Sequence, residues 1–186
     1  MAGCGAWHGQ MNAMSEIERA SQWIMRNGII AIVRGDFSID DMLRIGESLL
    51  AVALTAMEAG AQFVISPNVD PESASYARTQ DLLHLLGVFT ATEAQTAFAA
   101  GCQMMKLFPM DVGGPAHFKA LRAPLDNIEF IPTRGVSLEC IGEYAHMGTV
   151  AVGLGSKLIS SRAQTAGDLT SRAKALRQAW EAGKNA

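Results

Sequence analysis

A single lysine interrupts an otherwise apolar run, Met105-Lys106-Leu107-Phe108-Pro109. Lysine is almost never fully buried without a purpose. In an apolar pocket it loses its charge readily, and the neutral amine attacks a ketone to form a Schiff base. Pro109 ends the run, so a strand over 103–108 places Lys106 near its C-terminal end. The alternative is a strand-end lysine whose ammonium reaches solvent along its own stem.

Two glycine-bearing turns follow later apolar runs: Pro132-Thr133-Arg134-Gly135-Val136-Ser137 and Gly153-Leu154-Gly155-Ser156. Backbone N–H groups in such turns, with the Thr133 and Ser156 hydroxyls, suit a phosphate or a carboxylate. Turns of this kind also serve geometry alone. Arg34 stands directly after Ala31-Ile32-Val33, where its fork can meet a carboxylate or where it is a surface residue beside Asp36. His8, His84, His117 and His146 form no close pair and read as structural. Asp40 and Asp41 read as helix-start residues. Cys4, Cys102 and Cys140 have neither metal-site nor disulfide spacing, so reduced thiols, no metal and no cofactor are expected.

Strand and helix signals alternate around these residues. Ser15 with Glu18 is a capping box, and Asn27-Gly28 stops that helix. Apolar runs predict strands at 29–33, 63–65, 82–86, 103–108, 128–131 and 149–152. Helices are expected over 39–50, 53–59, 71–79 (Asp70 as N-cap, Pro71 at its first position), from Thr90 to Gly101 with Glu93 closing a second capping box, 114–121, 137–146 and 166–181. Repeated strand-then-helix units predict a parallel α/β fold. Phosphate-suited turns after the last two strands favour a (β/α)8 barrel over a doubly wound sheet. Such a barrel needs eight strands. One βαβ unit is absent near Ala51-Val52, where one helical pattern runs directly into the next.

The 186 residues carry 49% hydrophobic and 18% charged side chains, which suits one globular domain over 15–186 after a loose leader at 1–14. A net charge of −3 argues against a nucleic-acid surface. No apolar run reaches the roughly 20 residues of a membrane span, and 1–14 lacks the features of a secretory signal. A small-molecule enzyme of the cytoplasm is the expectation.

The blocks at 31–34, 58–68 (Glu-Ala-Gly-Ala-Gln-Phe-Val-Ile-Ser-Pro-Asn), 87–94 (Gly-Val-Phe-Thr-Ala-Thr-Glu-Ala), 106–109, 130–137 and 151–156 occur in an order that resembles the 2-keto-3-deoxy-6-phosphogluconate / 4-hydroxy-2-oxoglutarate (KDPG/KHG) aldolase family. The resemblance covers roughly residues 15 to 183. It implies a (β/α)8 barrel assembled as a homotrimer. It also implies a metal-free class I aldolase that cleaves a 2-keto-3-deoxy sugar acid to pyruvate and an aldehyde. Lys106 matches the Schiff-base lysine, and Phe108 the aromatic of the pyruvate pocket. Thr133 matches the substrate-contacting threonine, and Arg34 the first-strand arginine facing the site. Gly135, Gly153, Gly155 and Ser156 fall in the phosphate-end loops.

The sequence also departs from that pattern. The strand carrying the family's acid/base glutamate, and the Gly-Ala-Gly-Thr-Val strand after it, have no counterpart here. Arg134 replaces the first glycine of a Pro-Thr-Gly-Gly loop, and Leu86 replaces a proline. A barrel lacking two adjacent strands exposes unpaired edges, a known aggregation hazard. Either the polypeptide is longer than these residues or the barrel is shortened. An intact mass above 19.8 kDa distinguishes the two. Two other readings remain on the residues alone: a phosphosugar isomerase or synthase that needs no lysine at position 106, and an impaired barrel that binds keto acid or phosphate without efficient turnover.

Overall fold

The computed structural model describes residues 14–31, 63–158 and 166–186. Helix α1 (Glu16–Asn27) leads into strand β1 (Ile29–Ala31). After the undescribed interval come β2 (Phe63–Ile65), α2 (Pro71–Thr79), β3 (Leu83–Leu85), β4 (Gly87–Val88), α3 (Ala91–Ala99) and β5 (Met104–Leu107). The remainder is α4 (Met110–Arg122), β6 (Glu129–Pro132), α5 (Ile141–His146), β7 (Val152–Leu154) and α6 (Ala166–Lys184).

Local chemistry sets most helix starts. Ser15 accepts the Glu18 N–H while Glu18 accepts the Ser15 N–H, and Thr90 and Glu93 repeat the pattern. Asp70 caps α2 ahead of Pro71. Gly28 ends α1 at φ 69°, and a Cβ there would meet the Trp180 indole at 2.5 Å, so conformation and packing both demand glycine. Asp81 ties α1 to the far end of α2 by accepting the Glu16 N–H at 2.6 Å.

Every described strand pair is parallel. β2 pairs with β3, β4 with β5, β5 with β6, and β7 with β1, while a single bridge from Thr133 to Gly153 joins β6 to β7. Alternation sorts the side chains into two layers. Ile30, Leu83, Leu85, Met104, Ile131 and Ala151 form one cluster, closed by Ala20 and Ile24 of α1. Leu86, Val88, Met105, Leu107 and Phe130 face the other way, against α3 to α6, where Phe118, Tyr144, Leu176 and Trp180 are buried. Lys106 shares its face of β5 with Met104.

The structure moves several predicted boundaries. The strand expected over 82–86 is divided at Leu86: Leu85 serves β2 through the Ser66 N–H, whereas the Leu86 carbonyl accepts the Lys106 N–H. The helix expected from Gly114 does begin there, Gly114 itself being non-helical, but a turn of helix from Met110, whose side chain is buried, precedes it across the kink. The last strand lies at 152–154: the Thr149 N–H is spent on the Tyr144 carbonyl at the end of α5, while its buried hydroxyl donates to the Phe130 carbonyl, 2.7 Å away. Residues 137–140 form a turn before the shortened α5. The helices expected over 39–50 and 53–59, residues 32 and 33 of the first strand, the junction at Ala51-Val52, and Arg34 lie outside the described residues.

Candidate active site

The C-terminal ends of β5, β6 and β7 are fastened side by side. Lys106 lies opposite Ile131, and Leu107 opposite Pro132. The Thr133 N–H donates to the Leu107 carbonyl at 2.9 Å, and the Met110 N–H donates to the Thr133 carbonyl at 3.1 Å. This stitching fixes the lysine strand against the loop that follows β6.

Lys106 is half-buried, and its Nζ lies 4.2 Å from the centroid of the Phe108 ring, a cation–π distance. The Phe108 N–H is held by the Val88 carbonyl at 2.9 Å. Lysine and ring are thus carried on one strand end whose backbone is anchored on β4 and β6.

Beside them opens a cavity of about 360 Å³. It brings together Thr133, Gly135, Gly153, Gly155 and Ser156, with Asp111, Arg134 and Lys157 bordering it. Lys106 and Phe108 adjoin this cavity instead of lining it; the link is Arg134, whose guanidinium carbon is 5.8 Å from the Phe108 centroid. Thr133 is buried, and its hydroxyl donates to the Ile131 carbonyl at 3.1 Å, so that proton is not directed at an anion. Gly135 adopts φ 85° and presses on the first turn of α4, where a Cβ would stand 2.4 Å from the Asp111 nitrogen.

The pairing of Arg134 with Asp111 was not evident from the sequence. Arg134 Nε donates to Asp111 Oδ2 at 2.8 Å, and both side chains are about half exposed. Arg134 itself has φ 63°, a left-handed conformation uncommon outside glycine, asparagine and aspartate. The only hint was an arginine where the resembling loop has glycine, and 23 residues separate it from its partner.

A second cavity, of about 340 Å³, lies under α1 at the opposite ends of the strands and reaches His84, Cys102 and Glu129. His84 is buried and neither ring nitrogen has a hydrogen-bond partner. Burial pushes its pKa below the usual imidazole value, against smaller opposing effects of the Ser73 backbone and the Asp70 charge. Burial raises the Cys102 thiol in the same way. His117 is structural: its Nε2 is 2.7 Å from the Phe89 carbonyl and its ring stacks on Phe89. Among the described residues, no cluster of three His, Cys, Asp or Glu is arranged to hold a metal, and no helix is long and apolar enough to cross a membrane.

Residues 29–175 match the family model for KDPG and KHG aldolase. A probable 2-dehydro-3-deoxy-6-phosphogalactonate aldolase of Rhizobium meliloti is 39% identical over 126 residues, covering 67% of this chain and 59% of the relative. A 2-dehydro-3-deoxy-phosphogluconate aldolase of Pseudomonas aeruginosa is 34% identical over 143 residues, covering 75% of this chain and 65% of the relative. The chain therefore spans about three-fifths of the length of such relatives. In fold it is similar to a solved KDPGal structure, with a TM-score of 0.72 at 24% identity over 92% of this chain and 91% of the other. A solved 4-hydroxy-2-oxoglutarate / 2-dehydro-3-deoxyphosphogluconate aldolase gives 0.68 at 24% identity, over 89% and 86%. With the lysine strand, its aromatic neighbour and the glycine loops all within the matched span, this chain belongs to the KDPG and KHG aldolase family.

Proposed function

We propose that the protein is a class I aldolase that cleaves a 2-keto-3-deoxy sugar acid to pyruvate and an aldehyde through an imine on Lys106. The observation that carries this reading is the half-buried Lys106 Nζ over the Phe108 ring, next to a cavity bordered by Gly135, Gly153, Gly155 and Ser156. The amine adds to the C2 carbonyl and water leaves, giving a protonated imine. The C3–C4 bond then breaks as a base takes the C4 hydroxyl proton, the aldehyde departs, and the bond's electron pair moves into the imine to form an enamine. Protonation at C3 and hydrolysis release pyruvate and restore the amine. No redox partner is needed.

The described strands run in the order β2, β3/β4, β5, β6, β7, β1, all parallel. In this reading the order is an arc of a (β/α)8 barrel, whose catalytic groups belong at the C-terminal strand ends. That is where Lys106 and both glycine loops lie. Assembly as a homotrimer belongs to the same proposal.

Incubation with pyruvate and borohydride tests it. One pyruvate-derived group per chain is expected, on Lys106, and Lys106→Ala should fold yet label nowhere and lose turnover. Labelling of Lys119 or Lys157 instead would overturn the assignment. An absence of labelling would favour an isomerase or synthase, or a binding-only barrel.

A further inference from the structure

We propose that Arg134 is a specificity-determining residue that reserves the distal end of the site for a phosphoryl dianion over a carboxylate. The proposal deepens the aldolase reading and rests on it for the keto-acid end of the substrate. Four observations carry it. Arg134 borders the same cavity as Gly135, Gly153 and Ser156, and its guanidinium leans toward Phe108, hence toward Lys106. Its Nε is engaged by Asp111, which fixes the plane of the guanidinium. Neither Nη has a partner among the described residues, and a guanidinium held at Nε presents those two nitrogens as a fork suited to two oxygens of one anion. Finally, the backbone holds φ 63°, so the side chain is retained at a position whose conformation favours glycine.

The charges around the cavity point the same way. Arg134 and Lys157 face a single carboxylate, Asp111, across it. Lys157 also feels Glu139, an exposed residue whose pKa is lowered chiefly by the Ser137 hydroxyl. Asp111 is paired with Arg134, and Glu139 offsets Lys157 only weakly, from outside the cavity lining, so positive charge remains there for a ligand. A phosphate monoester is close to a dianion above its second pKa of about 6 and offers three acceptor oxygens, whereas a carboxylate offers one charge and two oxygens. A fork plus a second cation therefore discriminates between the two distal groups by charge as well as by geometry.

The test uses the full 186-residue chain with glycerol 3-phosphate and glycerate as probes of the distal site, neither of which can form an imine. Calorimetry should show the wild-type protein binding glycerol 3-phosphate more tightly than glycerate. Arg134→Gly, a substitution that its φ accommodates, should raise the Kd for glycerol 3-phosphate at least about tenfold and that for glycerate much less. Arg134→Lys, which keeps charge but loses the fork, should recover part of the difference. With substrates, Arg134→Gly should raise KM for the 6-phosphorylated keto acid about tenfold relative to 4-hydroxy-2-oxoglutarate, with kcat changed far less than KM. An unchanged Kd for glycerol 3-phosphate in Arg134→Gly, or equal losses for both probes, overturns the proposal. Borohydride trapping with pyruvate, run on the same proteins, separates this outcome from failure of the aldolase reading: if Lys106 does not label while the probe results hold, the imine chemistry fails and the Arg134 assignment stands.

Discussion

The Lys106 ammonium end rests 4.2 Å from the centre of the Phe108 ring, two residues along the same strand end. A cation over an aromatic face is held by about 0.5–2 kcal/mol, more as water is excluded. Phe108→Leu keeps an apolar side chain but removes that face. Because the ring favours the ammonium over the neutral amine that attacks, the expected outcome is a folded protein whose rate of trapping by pyruvate and borohydride rises, by up to roughly tenfold for about 1.4 kcal/mol. An unchanged rate would show that the ring is only part of the wall.

Positions 134 and 135 should respond to substitution in opposite directions. Both lie in the left-handed region, but one carries a side chain and the other cannot. Gly135→Ala adds a strain of about 1–2 kcal/mol for the L-residue conformation. Its Cβ would also fall 2.4 Å from the Asp111 nitrogen, which is backbone and cannot swing aside. A total loss of about 2–4 kcal/mol in urea unfolding is expected, with the first turn of α4 and the loop after β6 forced apart. Arg134→Gly relieves strain of the same kind and gives up a half-exposed ion pair worth about 1 kcal/mol or less, so its unfolding midpoint should match or exceed wild type. A large destabilisation by Arg134→Gly would mean that the Asp111 pairing is structural.

What the sequence disclosed and what it concealed divide along range. Ser15 with Glu18, Asp70 with Pro71, and Thr90 with Glu93 were legible because a cap is written within four residues. Lys106 and the Gly135 and Gly155 loops were legible because a charge inside an apolar run and glycines after a run are also local signals. The break at Leu86 was not, since it arises where the chain exchanges one neighbouring strand for another. Gly87 belongs with it: a Cβ there would meet the Pro67 carbonyl at 2.3 Å, an approach no local pattern encodes. The Asp111–Arg134 pair joins the first turn of α4 to the loop after β6, and the contact of Gly142 with Gly183 joins two helices. In each case one partner gives no hint of the other.

The strand that carries the acid/base glutamate in the resembling family has no counterpart in this sequence, and among the described residues Asp111 is the carboxylate that borders the cavity, already committed to Arg134. Imine formation needs only an amine and a proton source, whereas C–C cleavage also needs a base at the C4 hydroxyl. A chain verified at 19.8 kDa should therefore trap pyruvate on Lys106 while releasing pyruvate from substrate more slowly by about 10²–10⁴-fold than a protein of intact mass above that value. Coupled pyruvate release measured on protein of known mass decides it. Fast cleavage by the verified 186-residue chain would refute the need for the glutamate.

His84 should contribute to the pH dependence of stability in the acid range, beside carboxylates such as Glu93 whose pKa is also lowered. It is buried on β3 with both ring nitrogens unpartnered, and burial lowers its pKa in the folded protein. The charged or titratable groups around it are Asp70, Arg78, Cys102 and Glu129, of which Asp70 favours the protonated ring, though less than burial opposes it. The unfolded chain protonates this histidine near pH 6.5, about the ordinary value. Below that pH the unfolded state binds more protons than the folded one, so stability is fully present above about pH 6.5 and is lost as pH falls toward the lower folded pKa. His84→Leu removes both the titration and a buried imidazole whose one nearby backbone partner, Ser73, is outside good hydrogen-bond geometry, at similar volume. It should stabilise the protein by about 1–3 kcal/mol at neutral pH and flatten the acid slope. Urea midpoints at pH 8 and pH 5.5 for wild type and variant check this. If His84→Leu keeps the wild-type difference between the two pH values, the slope comes from other groups and His84 is not its source.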